Sequence, residues 1–298
     1  MTGVGGGMMR VTQGMLTQQF LYNITNIETS MQNSEQQLST GKTLNKASDN
    51  PLAVSQDMSL RATISDVQAY QSTVSSGLTW MNNTSSSLQS IITSLETITT
   101  NVQSGLNATT QSAAARTALS ETVQQLVKGI SQELDSKQGN RYLFGGTGSA
   151  QPSVNPSAVT GPIKYQISSG ISVTVNVTAS EIVGASSTNN LMTSLANTVA
   201  DLQSGNQSNL QSDLQSVTNY LNDVININAH VGTRIQRLTA MQNQLNQYSS
   251  TLTNEKGVIE DANMAQVITK FNTQQTVYTA ALKMGAQILQ PSLVTYLP

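Results

Sequence analysis

Apolar residues recur in steps of three and four along two long stretches of this chain that lie far apart in sequence. The first runs Leu60, Ile64, Val67, Val74, Leu78, Met81, Leu88, Ile92, Leu95, Val102, Leu106, with Ser85 and Thr99 filling polar gaps. The second runs Leu214, Val217, Val224, Ile227, Val231, Leu238, Met241, Leu245, Leu252, Ile259, with Tyr220 and Tyr248 in the same register. Such spacing marks the seam of a helix that packs on another helix, and two seams of similar length predict a long antiparallel coiled coil. The expected fold is mainly α with a small β insert: a coiled-coil helical rod built from both termini, plus an outer β-rich domain.

Shorter patterns flank the seams. Leu16, Phe20, Ile24, Ile27, Met31 and Leu38 mark one face of a first helix, which Gly41 ends. Ser48, Asp49 and Asn50 then precede Pro51, so that capping side chains stand just before a proline suited to a first helical turn, and the second helix runs from there to about Leu106. Leu119, Val123, Leu126, Ile130 and Leu134 predict a third helix, from Ala113 to about Gly139, packed on the main pair. The pattern breaks at Gly145, Gly146 and Gly148, and Pro152, Pro156 and Pro162 keep the chain beyond them out of helix.

Ile163, Tyr165 and Ile167, then Ile171, Val173, Val175 and Val177, alternate with polar residues on either side of Ser168 to Gly170, which predicts a hairpin. A lone hairpin is marginal in water, so it must gain a strand or lean on the helices. Helical spacing resumes near Asn189, Gly257 breaks the late seam, and Met264, Val267, Phe271, Tyr278, Ala281 and Ile288 form a final stripe before Pro291. The expected segments are a disordered leader (1–8), an N-terminal helical assembly segment (9–50), the first half of the rod (51–144), the outer β-rich domain (145–188), the second half of the rod (189–257) and a C-terminal helical assembly segment (258–298). Met8 or Met9 is the expected start, because the Gly-rich run before it can bury nothing.

Composition points away from several functions. Only 10% of the 298 residues are charged, the net charge is -2, and no basic footprint for a phosphate backbone is present. No run approaches the roughly 18 apolar residues of a membrane span, and no cleavable export signal opens the chain. Neither nucleic acid nor membrane insertion is expected. With no cysteine, disulfides and thiolate sites are excluded.

Candidate chemistry is sparse. Gly41, Lys42 and Thr43 resemble the end of a phosphate-binding loop, but that pattern needs a glycine where Gln36 stands, so Gly41 reads as a helix terminator. His230 is the sole histidine, expected on a solvated flank, and alone it builds neither a metal site nor a proton relay. Glu260 and Asp261 are adjacent and cannot face each other on a helix; capping or solvation is their expected role. Asn107 to Thr109 and Asn176 to Thr178 match a glycosylation pattern that an Asn- and Thr-rich composition produces by chance. No catalytic, cofactor-binding or metal-binding residue is expected, and the chain is not read as an enzyme.

The terminal stripes matter most for function. One apolar stripe per helix barely offsets the roughly 1 to 2 kcal/mol of backbone entropy that ordering each residue costs. Leu16, Phe20, Ile24, Ile27, Met31, Leu38, Met264, Val267, Phe271, Tyr278, Ile288, Leu293 and Leu297 are therefore expected to pair with each other and with neighbouring subunits.

Five segments carry a family resemblance. They are Met9 to Leu16 (Met-Arg-Val-Thr-Gln-Gly-Met-Leu), Gln37 to Lys42 with Ser48 to Ala53, Gly139 to Thr147 (Gly-Asn-Arg-Tyr-Leu-Phe-Gly-Gly-Thr), and the closing Pro291 to Leu297. Together they resemble the hook-associated, hook–filament junction branch of the bacterial flagellin-like superfamily. The Asp49-Asn50-Pro51 form and the Tyr296-Leu297 ending favour that branch over filament flagellins, which more often carry an Asp-Asp-Ala-Ala type segment. The resemblance implies a structural role in the flagellum, export unfolded through the flagellar type III apparatus, and an extracellular place. It implies partners as well: copies of the chain in a helical ring, the other hook-associated junction protein, flagellin, and an export chaperone on the C-terminal stripe. A self-polymerising filament flagellin is the alternative, and a cytoplasmic coiled-coil interaction module a more distant one.

Overall fold

The computed structural model describes residues 13–107, 112–156, 159, 161–184 and 190–288. The expected leader, the start residue and the closing motif from Pro291 lie outside them. Described residues fall into two compact units, one from 1–64 and 250–298, the other from 65–249.

The second unit is organised by two of the longest helices, α2 (Pro51–Leu106) and α6 (Gln207–Glu260). From α2, Val67, Val74, Met81, Leu88, Leu95 and Val102 are buried, and from α6 Leu210, Val217, Val224, Val231, Leu238 and Leu245. Each set advances by seven residues, the period that keeps a seam facing its partner in a left-handed supercoil. Polar pairs fix the antiparallel register: Gln71 Nε2 donates to Asn246 Oδ1 at 2.9 Å and Ser85 Oγ to Asn228 Oδ1 at 2.9 Å. The coiled coil predicted by the two stripes is present. Tyr248, in register by spacing, is instead exposed, because the buried positions either side of it are Leu245 and Leu252.

A second buried face on α2, formed by Trp80, Thr84, Ser87, Ile91 and Ile98, lies beside the seam. The third helix, α3 (Ala113–Leu134), runs antiparallel to α5 (Leu191–Ser204), and Leu202 of α5 reaches Gly105 of α2, where a Cβ would meet it at 2.6 Å. Thus α3 packs on α5, and α5 in turn reaches α2. Helix α3 stops at Leu134, earlier than expected, because Asp135 turns outward to accept from the Ser153 amide at 2.9 Å and from Gln151 at 2.7 Å. A minimal hairpin comes next, β1 (Lys137–Gln138) with β2 (Arg141–Tyr142), turning at Gly139, whose φ of 62° lies in the left-handed region.

The predicted hairpin forms as β3 (Lys164–Ser168) and β4 (Ile171–Thr174), turning at Gly170. Among the described residues it gains no third strand. It leans on the helices, as it must: Tyr165 and Val175 pack over Gly77 of α2, and Arg234 of α6 donates to the Asn176 carbonyl at 3.0 Å. Asn176, one of the chance glycosylation matches, is buried and holds the hairpin by accepting from the Ile163 amide at 2.7 Å. A short helix, α4 (Ala179–Val183), closes the insert with a Thr178–Glu181 capping box. The late helical stretch, expected to resume near Asn189, consists of α5 and α6, divided at Gly205, a left-handed cap with φ 74°.

In the first unit, α1 (Gln13–Thr40) runs antiparallel to α7 (Met264–Ile288). Gly41, φ 70°, ends α1, and Asn50 Oδ1 caps α2 by accepting from the Ala53 amide at 3.2 Å, both as the sequence predicts. Gly257 does not break α6, which continues to Glu260.

Candidate assembly interface

A helix pair with a single shared seam leaves most of each helix facing outward. Along α1 and α7 that seam is partly polar. Ser34 Oγ donates to Gln274 Oε1 at 2.9 Å, and the Phe20 ring lies where a Cβ on Gly285 would have to go. Of the residues expected to form the interface, Val267 is buried, while Phe20, Ile24, Ile27, Met31, Leu38, Phe271 and Tyr278 are half-buried and Leu16 and Met264 exposed. The Ile288 side chain, Leu293 and Leu297 lie outside the described residues.

More apolar surface remains than the stripes predict. Met15, Leu21 and Tyr22 on α1 and Ile268, Val277, Leu282 and Met284 on α7 are all exposed, Met15 and Met284 each by 61%. A single stripe read at helical spacing passes over them, because they belong to the flanks of each helix rather than to its seam. The signal that could have found them is the surplus of apolar residues over what one seam can use.

Charge is divided between the two helices. Glu28 and Glu35 are the only charged residues of α1, and Lys270 and Lys283 the only ones of α7. All four are exposed, and none forms an ion pair with a described residue.

Where α6 meets α7, Glu260 is buried, with 5% of its side chain exposed. Lys42 pairs with its Oε1, Arg61 Nη2 lies 2.6 Å from the same oxygen, and Lys256 Nζ lies 3.2 Å from Oε2. Arg61 is shared with Asp57, whose Oδ2 is 2.6 Å from Nε. Burial alone would raise the Glu260 pKa, but hydrogen bonds from Lys42 and Lys256 and the charges of Arg61 and Lys256 outweigh it and hold the carboxyl below its ordinary range. The expectation that Glu260 only caps or is solvated is therefore corrected. Two of its three partners come from positions 42 and 61, which no local pattern links to it; Lys256 is one turn back on the same helix. His230 is exposed, as expected for a flank position.

In the second unit, Asp213 on α6 lies close to Asp201 on α5. Burial, then the Asp201 charge and a hydrogen bond between the two carboxyls, push the Asp213 pKa up to about 6 against a smaller opposing effect of Thr198. Among the described residues no group of three or more His, Cys, Asp or Glu could hold a metal ion, and no helix is long and apolar enough to cross a membrane.

Comparison with known proteins decides what such a chain is part of. The bacterial flagellin N-terminal helical region matches residues 11–149 and the flagellin C-terminal helical region residues 214–297, together well over half of the chain. This chain belongs to the flagellin-like family. Flagellar hook-associated protein 3 of Escherichia coli (strain K12) is 25% identical over 306 residues, spanning 92% of this chain and 95% of that protein. Among solved structures, one described as a flagellar hook-associated protein from Vibrio parahaemolyticus aligns at a TM-score of 0.66 and 18% identity, over 71% of this chain and 99% of that one. Bacillus cereus FlgL aligns at 0.58 and 17%, over 67% and 99%. At such identities the structures speak for the fold, and they agree with the mainly α architecture above. This member of the flagellin-like family is a structural protein of the bacterial flagellum. Its two family regions flank the stretch that holds β3, β4, α4 and α5, so the family likeness is carried by the long helices and the terminal pair.

Proposed function

We propose that this chain is a hook–filament junction subunit, a non-catalytic adaptor that joins the flagellar hook to the filament. The observation that carries the reading is the near end-to-end match to a flagellar hook-associated protein 3. The Asp49-Asn50-Pro51 segment supports the same branch. On this reading the chain leaves the cell unfolded by the flagellar type III route, with a chaperone covering the stripe from Met264 to Leu297 beforehand. It then takes its place between the other hook-associated junction protein and the first flagellin subunits, outside the cell.

Copies of the chain pack through their α1/α7 pairs. The interface comprises Leu16, Phe20, Ile24, Ile27, Met31, Leu38, Met264, Val267, Phe271, Tyr278, Ile288, Leu293 and Leu297, together with the exposed Met15, Tyr22, Val277 and Met284. An α1 that carries only carboxylates and an α7 that carries only lysines favour α1 of one copy against α7 of the next. Contact between two different patches is heterologous, and such contacts propagate as rings or helices.

A filament flagellin is the second reading, favoured by the match of both flagellin helical regions. Negative-stain electron microscopy of purified, seeded protein, with hook fragments in a parallel sample, separates the two. The junction reading expects capping of hook ends that carry the other junction protein, with no long filaments. Unlimited self-growth into filaments would establish the flagellin reading instead.

A further inference from the structure

Two chain crossings lie side by side in the first unit: residues 41–50, between α1 and α2, and residues 261–263, between α6 and α7. Lys42 and Asp261 form an isolated antiparallel bridge. The Thr43 amide donates to the Glu260 carbonyl at 2.7 Å, the Ala262 amide to the Gly41 carbonyl at 2.9 Å, and Thr43 Oγ1 to the Asp261 carbonyl at 3.1 Å. A bridge of so few bonds between surface segments is marginal in water.

What adds to it is the Glu260 side chain, which binds cations from three chain segments: Lys42 of the first crossing, Arg61 of α2 and Lys256 of its own helix. The other charges about it are Asp57, bonded to Arg61, and Asp261, which is exposed. Burial is unequal in this cluster. Side chains of Lys42, Arg61 and Lys256 are 42%, 47% and 29% exposed, against 5% for Glu260. Each cation could return to water at little cost, whereas the buried carboxylate stays charged only while it is paired. The dependence therefore runs one way: burial of Glu260 requires that the cations, and the segments bearing them, stay in place.

We propose that Glu260 is the hub of an electrostatic latch that locks the two crossings together, and that removing its charge frees the α1/α7 pair from the adjoining ends of α2 and α6 while both helix pairs stay folded. The latch does not depend on which flagellar position the chain occupies. Its response to pH is set by linkage. A carboxyl held below its ordinary pKa contributes stability above the unfolded-state value, and that contribution is lost as pH falls through the folded-state value. The latch is closed at neutral pH and opens in acid. Added salt acts weakly, because Glu260 itself is buried.

Hydrogen exchange on the full-length chain tests this. In Glu260→Gln, amides of 41–50 and 261–263 should exchange about tenfold faster or more at neutral pH, while α2 and α6 residues around Leu88 and Val224 keep their protection. In the native chain, the same crossings should lose protection as pH falls below the ordinary carboxylate range, after correction for intrinsic exchange, and the variant should show no further loss there. Lys256→Gln, which leaves Lys42 and Arg61 in place, should give a smaller increase at the same amides and carries the comparison if Glu260→Gln fails to fold. Unchanged exchange at the crossings in either folded variant, or an equal rise throughout the chain, would overturn the latch.

Discussion

The α2/α6 coiled coil of residues 65–249 and the α1/α7 pair are both antiparallel helix pairs, yet they are built to different ends. In the former, buried apolar residues recur every seventh position on both helices, from Val67 to Val102 and from Leu210 to Leu245. In the latter, Val267 and Ser34 are the only buried side chains among the described residues of either helix, polar contacts sit within the seam, and large apolar residues face outward. One pair has buried most of its apolar surface inside the chain; the other keeps much of it in reserve. A patch that a folded chain leaves exposed in this way marks a contact with something else.

The largest effect should come from the seam that is complete. Leu88 is fully buried, and Leu88→Ala should cost about 3 kcal/mol, from lost burial plus an unfilled cavity. Trp80, the only tryptophan, is buried on the same helix, so its fluorescence melt reads this unit alone. A lowering of the Trp80 melt by roughly 10 °C is expected. A shift of less than about 2 °C would mean that the coiled coil tolerates loss of its central row.

Phe271→Asp carries the comparison to the other pair. Phe271 is half-buried in the α1/α7 seam, and a carboxylate there should cost that pair about 2 kcal/mol and abolish assembly. The Trp80 melt should stay in place while amides of α1 lose protection. Loss of the cooperative Trp80 melt in this variant would show that the two pairs are not separable in energy.

A smaller effect belongs to the carboxyl pair of α5 and α6. Asp213 has a raised pKa, so the folded chain binds its proton more tightly than the unfolded chain does. Stability is present below the unfolded value and is lost as pH rises through about 6. Allowing for solvent screening, Asp213→Asn should stabilise the second unit by about 1 kcal/mol at neutral pH and by almost nothing at about pH 4. A gain that does not change between those two pH values would assign the effect to packing rather than charge.

How far the sequence reveals each part depends on the range of the interactions involved. The seams, the Gly41 stop, the Asn50–Pro51 start and the Ser168–Gly170 turn are local, and periodicity or turn chemistry exposes them. The second face of α2 escapes such a reading because its cover comes from residues some distance along the chain, such as Ser136 beside Ser87. Gly257 looks like a break in the sequence and is not one, because glycine is permissive rather than prohibitive in a helix; α6 instead stops where Asp261 enters the bridge with Lys42. The Glu260 cluster is illegible for the same reason as the α2 cover: the Lys42 and Arg61 side chains converge on position 260 only in the folded chain.

The smallest expected change in stability sharpens the comparison most. Met284 lies on α7, 61% exposed, and makes no part of the α1/α7 seam. Placing a carboxylate there removes apolar surface that already faces water, so Met284→Asp should alter the stability of the isolated chain by less than about 0.5 kcal/mol. In an assembled contact the same carboxylate would be taken out of water against an apolar neighbour, a cost of several kcal/mol. Assembly on hook ends should therefore fail while amide protection of α1 and α7 in the free chain is unchanged, which separates this variant from Phe271→Asp. If Met284→Asp assembles as the native chain does, the outward apolar face of α7 is not the reserve held for other copies, and the contact must lie along α1, where Met15 and Tyr22 are the next residues to change.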